Sequence, residues 1–317
     1  MAVAEATREL VIPLRRERSP WAMAFRQLRR NRVATASAVF IIFLVLVAIF
    51  ARYIAPYPYD MASLRDYYAP PGGKYLAGAD FMGRDILSRT IYGTRVSLSV
   101  AVVAATVSLV VGVTYGLISG YFGGRIDQIM MSIVDFLYGL PVLIVIILMQ
   151  VYFKALARRG ATGLAGVLIN ANKAMGGLLF IFIAMGLLNW ITMARITRGQ
   201  VLSYKEKEFI EAAHMVGAST PRIIFRHLLP NVLGPCIVQE TLTIPQYILW
   251  EAFLSFIGLG VDPPTPSWGI MIQEGYQGLR SYPHVLFTPS LALTITVLAF
   301  NFLGDGLRDA LDPRLYE

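Results

Sequence analysis

Long apolar runs alternate with short polar stretches along this chain. A helix needs roughly 20 apolar residues to cross a hydrocarbon core at about 1.5 Å per residue. Six runs approach that length, at about 33–54, 96–119, 129–152, 176–194, 232–257 and 286–306. The first is the cleanest: Arg29, Arg30 and Arg32 flank its start, and Tyr53, Tyr57 and Tyr59 follow its end. Basic residues inside and an aromatic belt outside place the N-terminus in the cytoplasm. Six crossings return the C-terminus to that side, where residues 195–231 also fall. Lys and Arg divide 17 to 11 in favour of this orientation. The loop 153–175 runs against it, with Lys154, Arg158, Arg159 and Lys173 on the external side. Ahead of the first span, Trp21, Phe25 and Leu28 recur at helical spacing among arginines, which predicts a helix lying along the cytoplasmic face.

Composition agrees with a polytopic all-α membrane protein. Of 317 residues 56% are hydrophobic and 15% charged, whereas a soluble domain is about 25% charged. The net charge of +8 raises the question of nucleic acid, but basic residues gather at the cytoplasmic ends of spans. Residues 1–32 alone hold eight arginines. The apolar run that follows is long enough to span and has no small-residue cleavage site after it, so it does not read as a signal peptide. The lone Cys236 excludes an internal disulfide and reads as a packed thiol.

Two patterns stand out inside the spans. In the second, Ala104, Ser108, Gly112, Gly116 and Gly120 place a small residue at every fourth position. Helices in lipid gain from close backbone approach, so this row predicts a tight seam, within the chain or against a partner. The other pattern is charge: Asp135, Glu240, Glu251 and Asp305 must face protein or water. Glu240 and Glu251 are eleven residues apart, close to three helical turns, and so share a face. Gln239 and Gln246 add polarity to that span, and Pro235 and Pro245 should bend it. Glu240 either lines a water-filled pathway or pairs with a neighbouring helix; Glu251 reads as structural.

Residues 195–231 form a polar segment built as a knob. The pattern predicts a helix from about Ser203 to Val216, with Phe209, Ala213 and Val216 on one stripe and Gly217 as a left-handed cap. Thr220 then offers an N-cap oxygen, Pro221 suits the first helical position, and a second helix with Ile223, Ile224 and Leu228 stops at Pro230. An ordinary loop between spans needs only a few residues; a rigid knob implies something outside the membrane that grips it.

Glu211, Ala212 and Ala213, then Gly217, then Leu229 and Pro230 resemble the EAA loop of importer-type ABC permeases. His227 stands where the general pattern has an aliphatic residue, and the run RHLLPN at 226–231 is similar to the dipeptide/oligopeptide/nickel branch. The stretch GADFMGRD at 78–85 resembles that branch's external signature, with Ala79 in place of Thr. Gly78 and Gly83 permit turns there, and Asp80, Arg84 and Asp85 can cross-link the loop; two Asp beside an Arg argue against a metal site. Trp250–Gly260 and the PPTPSWG run at 263–269 are also similar to the branch, although Trp250 replaces a small residue. Trp268 reads as an interface anchor, and Ser267 as the start of a short helix over the pathway mouth. The tail 301–314 completes the resemblance.

The resemblance implies the type I ABC importer permease fold, with six transmembrane helices and both termini cytoplasmic. It implies a cytoplasmic N-terminal segment (1–32), a first transmembrane helix (33–55), an external segment (56–95), a core permease domain (96–307) and a cytoplasmic tail (308–317). It also implies a second, homologous permease subunit, two cytoplasmic ATPase subunits that carry ATP and Mg, an external solute-binding protein, a bacterial or archaeal inner membrane, and peptides as cargo. Nickel chelates, glutathione and oligosaccharides travel through the same branch. No phosphate-cradling glycine loop and no zinc-protease or serine-hydrolase motif occurs in the sequence, so no cofactor and no catalytic residue is expected on this chain. A self-sufficient carrier driven by an ion gradient through Asp135 and Glu240 would have no use for the knob. A DNA-reading helix-turn-helix at 203–229 is opposed by Glu206, Glu208 and Glu211 among its basic residues.

Overall fold

The computed structural model describes residues 26–159 and 162–311, which are mostly helical. Trp21 and Phe25 of the predicted interfacial helix, and residues 312–314 of the tail motif, lie outside the described residues; Leu28 sits in a helical turn at 26–30. Helix α1 (Arg32–Ile49) starts at Asn31, whose side chain accepts from the Val33 and Ala34 amides. Helix α2 (Ile86–Phe122) is 37 residues long and passes through a π-turn at Ser108–Gly112. Its first ten residues were expected in the external segment; Asp85 instead caps the helix by accepting from the Ser88 amide at 2.7 Å.

The predicted third span is not one helix. It divides into α3 (Gly124–Tyr138) and α4 (Val142–Arg158), bent by 77° at Gly139–Pro141. Pro141 has no amide to continue the ladder and biases Leu140 away from helix. The supposed loop 153–175 contains the end of α4 and a further helix, α5 (Gly163–Ala174). Lys154 is satisfied there by the Gly258 carbonyl at 3.3 Å. Then come α6 (Leu178–Lys205), α7 (Glu208–Met215), α8 (Leu229–Phe256), α9 (Trp268–Gln277) and α10 (Pro283–Leu311).

Among the described residues four helices are long and apolar enough to cross a membrane: α1, α2, α6 and α10, with the bent α3–α4 pair as a fifth candidate. Helix α8 is 28 residues long but is not among them, because its two glutamates, two glutamines and three prolines lower its hydropathy. Helix α2 is central, packed by α1, α6, α8 and α9. The main core runs through Val100, Ala104, Ile181, Met185, Tyr247 and Trp268. A second core, at the Phe122 end of α2, joins Val113, Val201, Ile210, Ile223 and Val232.

Candidate functional site

The knob differs in detail from its predicted form. Helix α6 runs through Ser203 to Lys205, and α7 begins only at Glu208. Ile210 and Ala213, three residues apart, therefore face the second core, at 2% and 6% exposure. Phe209 and Val216, placed with Ala213 by the sequence pattern, turn outward at 41% and 84%, since one residue rotates a side chain by about 100°. Gly217 adopts φ +75°, as predicted. Its amide donates to the His214 carbonyl at 3.0 Å, and the Ala218 amide to Ala213 at 3.0 Å, the two bonds of a Schellman cap.

Ser219, not Thr220, occupies the N-cap position of the next turn, which makes Pro221 its second residue. Nor does Pro230 stop that helix. A π-turn at Ile223–Leu228 leads directly into α8, with Leu229 and Pro230 as its first two residues. Pro230 has no amide to donate, and the π-turn just before it is where the helix ladder is already re-registered. Glu211, Ala212, Met215 and Val216 are exposed. Among the described residues Glu211 makes no ion pair, although Lys207 stands one helical turn before it. An open groove of about 350 Å³ lies beside the cap, lined by Ala213, Gly217, Arg222, Arg226 and His227.

The intramembrane carboxylates brace two helices. Glu240 accepts from Ser108 Oγ on α2 at 2.9 Å and from the Tyr247 hydroxyl at 2.9 Å. Glu251 accepts from Ser97 Oγ on α2 at 2.8 Å and from Ser255 Oγ at 2.7 Å. Eleven residues up α8 thus match eleven residues down α2. Each interval is close to three turns, so both rungs lie on the facing sides of an antiparallel pair, about 16 Å apart. Glu240 and Glu251 are buried, at 3% and 0% exposure, so within this chain their shared face does not line water. Gln239 is half-buried and Gln246 exposed, on a different side of α8. Ser267 extends the lower rung by donating to Ser255 at 3.1 Å, and it caps α9, as expected, by accepting from the Ile270 amide.

Trp268 is not an interface anchor. It is fully buried and donates from Nε1 to the Thr90 carbonyl at 3.1 Å. Gly93 makes room for it, since a Cβ there would sit 3.1 Å from Trp268 Cδ1. Of the predicted aromatic belt only Tyr53 is exposed; the Tyr57 hydroxyl donates to the Lys74 carbonyl at 3.0 Å, and the Tyr59 ring lies tilted against Tyr92 with centres 4.8 Å apart.

The small-residue row packs against α6 of the same chain. Ala104 and Ser108 are buried. A Cβ on Gly112 would lie 2.6 Å from Met193 Cβ, one on Gly116 2.6 Å from Thr197 Cβ, and one on Gly120 2.8 Å from Val201 Cβ. The 78–85 loop folds as an ionic cluster at the Ile86 end of α2. Asp80 accepts from the Met82 and Arg84 amides, from Arg84 Nε at 2.7 Å and from Arg89. Glu274 on α9 completes the cluster, pairing with Arg84 at 3.2 Å and Arg89 at 2.5 Å. Arg89 and Glu274 were not singled out from the sequence, because a single Arg or Glu carries no spacing signal. Gly78 and Gly83 take the positive φ expected of them, +84° and +71°.

Asp135 is exposed and pairs with Arg195 of α6, whose guanidinium also lies 4.1 Å from the Tyr138 ring centre. Asp127, not singled out either, receives Arg198 through two bonds, Nε at 2.6 Å and Nη2 at 2.5 Å. Asp305 is exposed near the end of α10.

Residues 112–316 match the family described as the binding-protein-dependent transport system inner membrane component, and the chain belongs to it. Residues 19–71 match the N-terminal transmembrane domain of oligopeptide transport permease C, which makes this a permease of the C type. The chain is 42% identical over 297 residues to the oligopeptide transport system permease OppC of Bacillus subtilis, covering 94% of this chain and 90% of that one. It is 43% identical over 293 residues to the dipeptide transport system permease DppC of the same organism, covering 92% and 85%. A structure of the MetNI methionine ABC transporter superposes with a TM-score of 0.52 at 19% identity, over 72% of this chain and 96% of that one, a likeness of fold.

Proposed function

We propose that this permease carries di- and oligopeptides inward and that the knob at 208–228 is where ATPase motion enters it. One observation carries the reading. Ile210 and Ala213 dock α7 into the core, while Glu211, Met215 (88% exposed) and Val216 (84%) stand out with Phe225 (66%). An apolar patch rimmed by charge at the tip of a rigid element is a surface for a protein partner. In this reading the chain crosses the membrane six times, through α1, α2, the bent α3–α4, α6, α8 and α10. Both termini and the knob are cytoplasmic, and the Asp80–Glu274 cluster is external. Its partners are a related permease, two ATPase subunits and an external binding protein. Sequence relatedness to oligopeptide and dipeptide permeases supports the peptide cargo.

Gln239 and Gln246, on the side of α8 turned away from α2, are the candidates for the pathway wall. Glu240 and Glu251 serve as braces, which leaves an ion-driven carrier without its second carboxylate. Glu211→Lys tests the coupling role: peptide uptake should be abolished while the permease pair still folds and assembles. Wild-type uptake by that variant removes Glu211 from the contact.

A further inference from the structure

Helix α3 is poorly anchored by packing. Of its 15 residues only Val134 is fully buried, while Ile126, Ile129, Ile133 and Phe136 are exposed. Besides Met131 and Leu137, which rest against the main core, polar bonds hold it, and most lead to one helix. Arg198 of α6 grips both oxygens of Asp127, and Ser119 Oγ donates to the same carboxylate. Arg195, three residues before Arg198 and so on the same face, reaches Asp135 and covers the Tyr138 ring. Asp127 and Asp135 are eight residues apart, just over two turns, and share the facing side of α3. The Tyr115 hydroxyl adds one bond, to the Met130 carbonyl.

Helix α4, beyond the bend, holds the opposite end of α6. Phe153 stacks on Phe180 with ring centres 4.5 Å apart. Phe180 lies fifteen residues, or about 22 Å along the axis, from Arg195. Arg198 in turn stands ten residues before α7, on the same continuous helix. The two halves of the bent element are therefore tied to opposite ends of the helix that bears the knob. Between them lies the 77° bend, with Gly139 and Pro141 at its corner.

We propose that Asp127 and Asp135, through Arg198 and Arg195, are positioning residues for transport: they make α3 travel with the knob end of α6, so that a displacement of the knob changes the bend at Gly139–Pro141. Neither pair touches cargo or nucleotide. The proposal rests on the coupling role of 208–228, and the two fail in different ways.

The test uses the complete importer in lipid nanodiscs, with spin labels on exposed sites: Gln128 of α3 with Gly199 of α6, and Gln128 with Tyr152 of α4. On trapping with ATP and vanadate, the first distance should stay constant and the second should change. In proteoliposomes loaded with ATP, uptake of labelled trialanine should fall at least tenfold in Asp127→Asn while ATP hydrolysis persists. Arg198→Lys, which keeps the charge but loses the fork, should fall between. Exchange of the pair, Asp127→Arg with Arg198→Asp, should restore most of the uptake.

A changing Gln128–Gly199 distance, or wild-type uptake in Asp127→Asn, overturns the proposal. So does an assembled exchange variant no better than the single one. Where the exchange variant does not assemble, Arg198→Lys and the distances decide. Constant distances together with wild-type uptake by Glu211→Lys would instead remove the coupling reading.

Discussion

Gly116 offers the sharpest test of how the bundle is held. A Cβ built there falls 2.5 Å from the Ala194 carbonyl oxygen, 2.6 Å from Thr197 Cβ and 2.9 Å from the Arg198 amide nitrogen. Two of these are backbone atoms of α6, so no rotamer change relieves them; the helices must part by nearly 1 Å. Gly116→Ala gains about 0.5–1 kcal/mol of helix propensity and loses about 1–3 kcal/mol to overpacking. The net expectation is a loss of about 1–2 kcal/mol, a factor of roughly 5–30 in the folded ratio. Gly199, on α6 itself, is the control, because nothing lies within 4 Å of its Cβ position. Gly199→Ala should keep the propensity gain and be neutral or stabilising. An SDS titration of the purified permease, followed by loss of helical circular dichroism, gives both midpoints. Equal midpoints for Gly116→Ala and wild type, or equal losses at 116 and 199, would refute the seam.

Two further substitutions probe the braces and the external loop. Glu240→Ala leaves the Tyr247 hydroxyl without its acceptor and should cost about 1–3 kcal/mol, while Ser108 keeps the Asn189 carbonyl at 3.3 Å. Glu240→Gln keeps an acceptor and should cost less; the same SDS titration ranks them, and equal losses would contradict a hydrogen-bonded brace. Lys74 donates to Asp66 at 2.5 Å and, with Ser63 and Tyr75, holds its carboxyl down at about 2. A depressed acid supports the fold above its unfolded value near 3.9 and loses that support as pH falls through its folded value. Lys74→Met should therefore raise the Asp66 titration toward the ordinary carboxylate range. Carboxyl NMR of selectively labelled protein in nanodiscs reads this directly, and an unmoved titration contradicts it.

The long apolar helices α1, α2, α6 and α10 and the cap of the knob are legible because each rests on a run or a spacing. Periodic small residues found the α2–α6 seam, and an isolated Gly after a helical stretch found the cap at Gly217. What escaped was pairing at long range. Arg198 and Asp127 are 71 residues apart, and Arg89 and Glu274 are 185 apart, and nothing local links the members of either pair. Three local signals were misread. Gly139 and Pro141 were absorbed into an apolar run that is long enough to span, so the bend was missed. Pro230 reads as a stop, although the π-turn at Ile223–Leu228 lets the helix run through it. Trp268 was assigned to the interface from its residue type, when the vacancy at Gly93 beneath it is visible only once α2 and α9 are side by side.

The spacing of the two serine–carboxylate rungs also limits which motions the bundle permits. Suppose α8 slid along α2 by one helical turn, about 5.4 Å, as in ratchet-type rearrangements. Glu240 would then face Ala104 or Gly112, and Glu251 would face Gly93 or Ala101. None of these carries a hydroxyl, so both carboxylates would lose their α2 donor at once. Among the positions three residues away only Thr94 offers a hydroxyl, and only to Glu251, so a piston stroke of α8 against α2 costs Glu240 its α2 donor. What is left to the pair is to swing as a unit.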